Sequence, residues 1–440
     1  MTIIFTNHTS YDNCHIQRLI PIICWRFIDV KIKYLTTLVI FVLLVLLTAM
    51  IILHPDVAFR GSTRGLEMWW GIVFPSLLPF FILSELLICF GVVQFIGIFL
   101  EPVMRPLFKV PGVGAFVWAM GMASGFPSGA KLSAKLYKDG ELTKLEAERL
   151  NSFTNSSNPL FIFVAISVGF FHNVNIGLVL ALSHYLSNAF VGLIMRFYGK
   201  NKPNYSRRER IHSNRFKYAF QVLHEKRLNE KRPIGKILGD AIASSVQTLL
   251  MIGGFIIVFS VLNMLLIEIG FIAQVGKIIS FLFSQLNINH ELSNPFVSGL
   301  FEITLGSKLV SEISNSTLMQ QVALTSFILG FGGFSIHAQV ASIISEVKMS
   351  MKPYIIGRFL QSMIAPILAV ILWKPFYIDR ISSTSNNEAI TVIKHFAEKQ
   401  FTSEAIISNG PLFTLISIYI YVIILLYRMY IQKKKPQFKS

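Results

Sequence analysis

The sequence predicts an all-α polytopic membrane protein made of two homologous helical repeats, inverted with respect to each other and broken by discontinuous or re-entrant helices. Three observations carry that prediction. Hydrophobic residues make up 53% of the 440 and charged residues only 14%, too few to cover so apolar a core in water. Several uncharged runs are long enough to cross a bilayer. Polar and glycine-rich interruptions recur in both halves, on either side of a basic midpoint, the pattern of a duplicated transporter-like architecture.

Residues 1–34 are polar and then basic (Arg18, Arg26, Lys31, Lys33) and read as a cytoplasmic N-terminal segment. Residues 35–60 supply a first span, with no charge between Leu35 and Leu53. This run starts too late, and lacks too clearly a small-residue cleavage site, to be a signal peptide, so it reads as an uncleaved span with its amino end inside. Leu66–Leu100 exceeds one crossing and contains Pro75-Ser76-Leu77-Leu78-Pro79. That motif suits a kinked span or a re-entrant hairpin. If the loops at 128–152 and 200–236 are both cytoplasmic, the spans Phe153–Phe171 and Ile176–Phe197 go out and return. Segment 110–127 must then enter from outside, and the 66–100 region must come back to its starting side, which favours the hairpin.

Residues 200–236 hold twelve Lys or Arg against three Glu and form a basic cytoplasmic linker between repeats at 61–199 and 237–373. In the second repeat Ala241–Ile267 is long and apolar, and Phe271–Leu286 is short and interrupted by Lys277. Spans follow at about 293–311, 319–336 and 354–373. An extramembrane loop at 374–410 precedes the last span and basic tail, 411–440, which ends near Lys433-Lys434-Lys435. The net charge of +17 sits largely in these flanking segments, as the positive-inside rule expects. It points to the lipid bilayer as partner, with no nucleic acid. Arg149 and Arg358 read as further cytoplasmic anchors.

The chemistry concentrates between Gly121 and Phe161. Gly121, Gly125 and Gly129 recur every four residues, which lets another helix approach one bare face. Pro127 breaks the hydrogen-bond ladder, and Ser124 and Ser128 can satisfy the groups it frees. Asn155-Ser156-Ser157-Asn158-Pro159 then opens the next apolar run. Small residues, a break and uncharged polar groups are how a discontinuous helix lines a solute cavity; tight packing plus an N-cap with Pro at the first helical position is the plainer alternative. Two echoes extend the pattern. Ser157-Asn158-Pro159-Leu160-Phe161 resembles Ser293-Asn294-Pro295-Phe296, and Gly125–Gly129 has a counterpart in Gly330–Ser335. The candidate substrate-binding residues are Ser124, Gly125, Ser128, Gly129, Lys131, Asn155, Ser156 and Asn158, joined by Gly332, Gly333, Ser335, His337 and Gln339. Lys131 can attract an anion or anchor the span. Glu85 and Glu302 each lie inside an apolar run, where a charged acid must face protein or water; each is a coupling acid or a structural one.

Catalytic and cofactor patterns are missing from the sequence. There is no Gly-x-Ser-x-Gly, no His-Glu-x-x-His, no P-loop and no Cys-x-x-Cys. Cys14, Cys24 and Cys89 have no metal-ligand spacing. The expectation is therefore no enzyme, no metal and no cofactor.

MWWGIVFPSLLPFFILSELL, EPVMRPLFKVPG, MGMASGFPSGAKLSAKLY, EAERLNSFTNSSNPLF, SHYLSNAFVGLIMRFYG and GLFEITLG together resemble the YlbJ-type sporulation integral membrane proteins over roughly 64–199 and 235–373. That resemblance implies two nucleoside-recognition Gate domains, distantly similar to concentrative nucleoside carriers. It implies a protein of endospore-forming bacteria in the outer forespore membrane, moving dipicolinic acid for the developing spore and its cortex; the Gate description alone would imply a nucleoside. Asn-Ser-Ser-Asn-Pro at 155–159 departs mildly from the expected Asn-Thr-Ser-Gly/Asn-Pro, and the first 30 residues are an extension. The expected function is a secondary transporter or facilitator of a small anionic aromatic such as dipicolinate, with a non-transporting sporulation scaffold as the rival from another class.

Overall fold

The computed structural model describes residues 34–199 and 215–384. The N-terminal segment, the start of the linker, most of the 374–410 loop and the expected last span lie outside the described residues. Those described divide into a unit ending at Trp373 and a second beginning at Lys374. Of the second, a π-turn at Lys374–Ile378 and a short helix at Asp379–Thr384 are described.

The described residues contain helices and no strands, and six of the helices are long and apolar enough to cross a membrane. The first, α1 (Tyr34–Leu53), has none of its apolar stretch buried in protein, as a lipid-facing helix requires. α2 (Pro55–Cys89) is a single helix of 35 residues. Its π-turn at Trp69–Val73 lies just before Pro75 and Pro79, where missing amide donors and proline rings demand a wider ladder. Pro75–Pro79 is therefore a perturbed stretch of continuous helix, and the expected hairpin there is not formed. The chain reverses later, at Gly91, whose φ is +78°.

α3 (Val92–Phe108) then bends by 84° into α4 (Val113–Ser124). α5 (Ser128–Lys138) runs back along α4. A Cβ added at Gly121 or at Gly129 would collide with the same carbonyl oxygen, that of Thr154, so the two arms fold about Gly125. Segment 110–127 thus turns back as a re-entrant hairpin instead of crossing. α6 (Lys144–Phe153) begins with a Thr143–Glu146 capping box. A non-helical stretch to Asn158 separates it from the π-helical α7 (Phe161–Phe170), and α8 (Ile176–Met195) completes the repeat.

After the linker helix α9 (Arg215–Asn229) the plan repeats. α10 (Ile234–Glu268) again has 35 residues, Gly270 (φ +75°) matches Gly91, and α11 (Phe271–Gln285) matches α3. Lys277 does not interrupt α11. α12 (Ser293–Phe301) and α13 (Ile303–Ser311) fold back at Glu302. A Cβ at Gly306 would collide with the Cα of Gly299, so 293–311 is a second hairpin and not the span expected. α14 (Leu318–Phe331) and α15 (Gly333–Glu346) form one span broken at Gly332, and α16 (Lys352–Trp373) ends the repeat.

This order makes Gly125 equivalent to Glu302, and the 154–158 stretch equivalent to Gly332. The short sequence echoes linking 157–161 with 293–296, and 125–129 with 330–335, therefore join non-equivalent elements. The repeat is real and its register is different.

Inversion follows from packing. α2 lies on its equivalent α10 with Gly61 against Val261 and Gly65 against Ile257. Further along, Trp69 Nε1 donates to the Leu249 carbonyl at 2.9 Å. Rising numbers on one helix meet falling numbers on the other, so equivalent helices run antiparallel. α8 and α16 do the same: Arg358 bonds Asn188 and Gln361 bonds His184. Small residues at these crossings bring backbones close where lipid offers no hydrophobic drive between helices. The apolar core spans both repeats and includes Phe108, Phe153, Ile328 and Tyr354.

Candidate functional site

The four chain breaks, two from each repeat, meet at one cavity of about 100 Å³. At the first, α4 stops because Gly125 takes φ +94° and ψ −175°, a region that residues with a Cβ avoid. Ser124 Oγ donates to the Met120 carbonyl at 2.7 Å and Ser128 Oγ to that of Gly125, so both serines bond backbone acceptors where the helix ends.

The second break is held from outside and faces the cavity from inside. His184 Nε2 accepts from the Ser157 amide at 2.9 Å, and Tyr185 donates to the Ser157 carbonyl at 3.0 Å. Asn188 Nδ2 donates to Ser156 Oγ at 2.5 Å. Arg358, fully buried, donates to the carbonyls of Asn155 (2.7 Å) and Ser152 (3.2 Å) and to Asn188 Oδ1 (3.0 Å). On the cavity side, Asn158 ties two half-helices together. Its Nδ2 donates to the Ser124 carbonyl at 3.0 Å and its Oδ1 accepts from the Phe161 amide at 2.7 Å.

Glu302 makes the third break in extended backbone. Its carboxylate accepts from the amides of Thr304 (2.9 Å) and Leu305 (2.7 Å), so the positive end of α13 offsets its charge. The fourth break is Gly332 at φ +89°. Ser335 stands one turn beyond it, and Gln339 Nε2 donates to its Oγ at 3.4 Å. Apolar residues of α2 (Met68, Ile72, Val73, Leu77) and α10 (Ile252, Ile256) close the cavity, with Phe126, Leu160, Phe161, Ile303 and Ile336. Polar atoms thus cluster where helices are broken, among aliphatic and aromatic walls.

With this geometry in hand, the comparisons agree with the register. A family model described as Gate, nucleoside recognition, matches twice, at residues 70–171 and 249–350. Residue 70 therefore answers to 249 and 171 to 350, as Pro55 answers to Ile234 and Cys89 to Glu268. The sporulation integral membrane protein YlbJ of Bacillus subtilis is 49% identical over 407 residues, covering 91% of this chain and 98% of that protein. The chain belongs to the YlbJ family of sporulation integral membrane proteins. An uncharacterized protein of Alkalihalophilus pseudofirmus is 32% identical over 157 residues, 34% of this chain and 31% of that one. No solved structure matches the chain. These comparisons indicate no enzymatic family.

For this YlbJ-family chain, the structure divides the residues singled out from sequence. Ser124, Gly125, Asn158, Gly332, Ser335, Gln339 and Glu302 line the cavity. The others do not. Ser128 bonds the Gly125 carbonyl, and Gly129 gives the Thr154 carbonyl room to approach. Asn155 Oδ1 accepts from the Ala130 amide at 2.9 Å and Ser156 bonds Asn188. Gly333 packs against the Phe301 carbonyl, and His337 Nδ1 pairs with the Tyr354 hydroxyl at 3.1 Å. Lys131 turns to Glu85 at 3.7 Å and lies 4.5 Å from the Phe81 ring centre. Glu85 is bound more closely by Lys135, so this acid sits between two cations outside the cavity. Arg149 and Arg358 are buried and bonded to carbonyls, where surface anchors were expected.

Ser157, Thr304, Phe126 and Phe161 line the cavity without having been singled out. Ser157 stood inside the amide cluster, and Thr304 two residues after the intramembrane acid. Those positions were signals that could have found both.

Proposed function

We propose that this chain is a secondary transporter or facilitator of a small anionic aromatic solute during endospore formation, with dipicolinic acid as its best-fitting substrate. The observation that carries the reading is the convergence of all four breaks, two from each inverted repeat, on a single cavity. Broken helices are tolerated in a bilayer where they line a solute path. The aromatic and aliphatic walls suit a flat ring, and the polar atoms at the breaks suit its substituents. The two hairpins enter their repeats from opposite ends. A movement of one repeat against the other would therefore open the cavity to each side in turn. In this reading the basic linker lies in the cytoplasm, the membrane is the outer forespore membrane, and the two repeats begin with α2 at Pro55 and α10 at Ile234, a few residues before the limits of 61 and 237 drawn from the sequence.

A nucleoside is the second reading. The Gate description favours it, as does a lining whose polar groups are largely uncharged. Proteoliposomes holding the purified full-length chain separate these readings. Uptake of labelled dipicolinate, competed by unlabelled dipicolinate and reduced by Gln339→Ala, is the expected result. Uptake of nucleosides alone would transfer the assignment to the second reading. Movement of neither compound would leave a sporulation scaffold.

A further inference from the structure

Arg358 is a cation fully buried within the repeat core. Its hydrogen-bond acceptors are two backbone carbonyls and one side-chain amide oxygen, and its Nε has no partner. Tyr354 lies beside it, with the guanidinium 5.8 Å from the ring centre. No carboxylate among the described residues forms an ion pair with it. A buried charge met only by neutral dipoles is expensive in a membrane protein, and packing alone would be served by a neutral side chain. The position gives it a use. Arg358 grips the outer side of the 152–158 stretch, whose far end, Ser157 and Asn158, lines the cavity. α16 is pressed onto that stretch, because a Cβ at Gly357 would collide with the Ser152 carbonyl. The acid lining the cavity, Glu302, is capped by the α13 amides. Arg358 thus sets a positive charge behind a stretch whose far end lines the cavity.

We infer that Arg358 is the fixed positive charge that makes this cavity select carboxylate-bearing solutes, acting through the 152–158 stretch without touching the solute. The inference rests on the transport reading above and names the chemistry by which that site would choose its substrate. Arg358 is a positioning and specificity residue, and its effect must scale with the charge of the ligand.

The experiment compares two ligands of one shape, pyridine-2,6-dicarboxylate and its uncharged diamide, binding to purified full-length protein. The quantity read is the ratio of their affinities, which does not depend on the folded fraction. Arg358→Gln is expected to lower that ratio about 10-fold or more against the dicarboxylate, as a unit charge acting through protein would. Arg358→Lys keeps the charge and loses the fork, and is expected to hold the ratio within about 3-fold of wild type. Equal loss of both ligands in Arg358→Gln would overturn the inference and reduce the residue to a structural clamp. Should that variant fail to purify, Arg358→Lys decides: a ratio that collapses with the charge retained also overturns it. Wild-type protein that binds neither compound defeats the transport reading and this inference together, whereas binding of both with an unchanged ratio in Arg358→Gln defeats this inference alone.

Discussion

The two hairpins occupy equivalent places in the repeats and solve the same problem with different chemistry. In the first, the turn is Gly125 and the arms close around a foreign carbonyl, that of Thr154, admitted by Gly121 and Gly129. Its freed backbone groups are met from elsewhere, by Asn158 on the Ser124 carbonyl and Asn155 on the Ala130 amide. In the second, the arms close on each other, Gly299 against Gly306. The turn residue itself, Glu302, caps the following helix. The first hairpin is thus stitched to the second break of its own repeat, while the second closes arm on arm and has its Ser298 carbonyl bonded by Asn263 of α10. Duplicated topology therefore fixes where a break falls and leaves open how its backbone is satisfied. The carboxylate in the cavity belongs to one half alone.

A second asymmetry tests that comparison most strongly. Glu85 on α2 binds Lys135 and Lys131 of the first hairpin, and Met264 stands at the matching place on α10. Removing the carboxylate leaves Lys131, mostly buried, and Lys135, part exposed, facing each other. Glu85→Gln is expected to destabilise the protein by about 3 kcal/mol, near the lower end for a broken buried pair because Lys135 is part exposed. Thermal unfolding in detergent reads this directly. Unchanged melting together with lost pH-driven uptake would recast Glu85 as a coupling acid.

Gly121→Ala comes next, at about 2–3 kcal/mol, because its Cβ meets a backbone oxygen that cannot swing aside. Ser298, at the equivalent point of the second hairpin, already carries a side chain, so Ser298→Ala should change melting little. Equal effects at the two positions would mean that the hairpins are closed alike after all. Glu302→Ala should then cost about 2 kcal/mol through two lost charge-assisted caps. Asn158→Ala should cost about 1–2 kcal/mol through two neutral bonds. Since Asn158 also lines the cavity, its variant loses stability and affinity together, so melting must be measured beside any uptake.

These contrasts show what was legible beforehand. Bilayer-length apolar runs, the duplicated plan and the basic divider follow from hydropathy and charge, and they were readable. Whether an apolar run crosses or turns back is not encoded in hydropathy, since both leave it among apolar surroundings. That is why 110–127 and 293–311 read as crossings. Pro75 and Pro79 looked like a break because the local rule is strong, yet the π-turn at Trp69–Val73 absorbs them. Arg358 read as an anchor because a basic residue near the start of an apolar run looks the same at an interface and in a core. Within the site, Asn158 and Ser124 face the cavity while Asn155 and Ser156 face α5 and α8. Which side of a non-helical stretch meets solute depends on the helices behind it.

The smallest expected effect sharpens the comparison furthest. Ser157 lies in the second break of the first repeat and Ser335 just past that of the second, and both line the cavity. Ser335 Oγ accepts from Gln339, whereas Ser157 Oγ has no partner although it is buried. Deleting an unpartnered hydroxyl removes no hydrogen bond from the protein, so Ser157→Ala should leave melting unchanged. A solute that bonds this hydroxyl would lose about 1 kcal/mol, roughly 5-fold in affinity. Ser335→Ala frees Gln339 Nε2 to bond the solute in its place, so its effect on affinity should be smaller than that of Ser157→Ala. If the solute spans both repeats, the double variant should lose the sum of the two effects, since distant contacts add. A Ser157→Ala protein that melts lower would show its hydroxyl to be structural. One with unchanged melting and unchanged affinity for dipicolinate would place the solute against the second repeat alone.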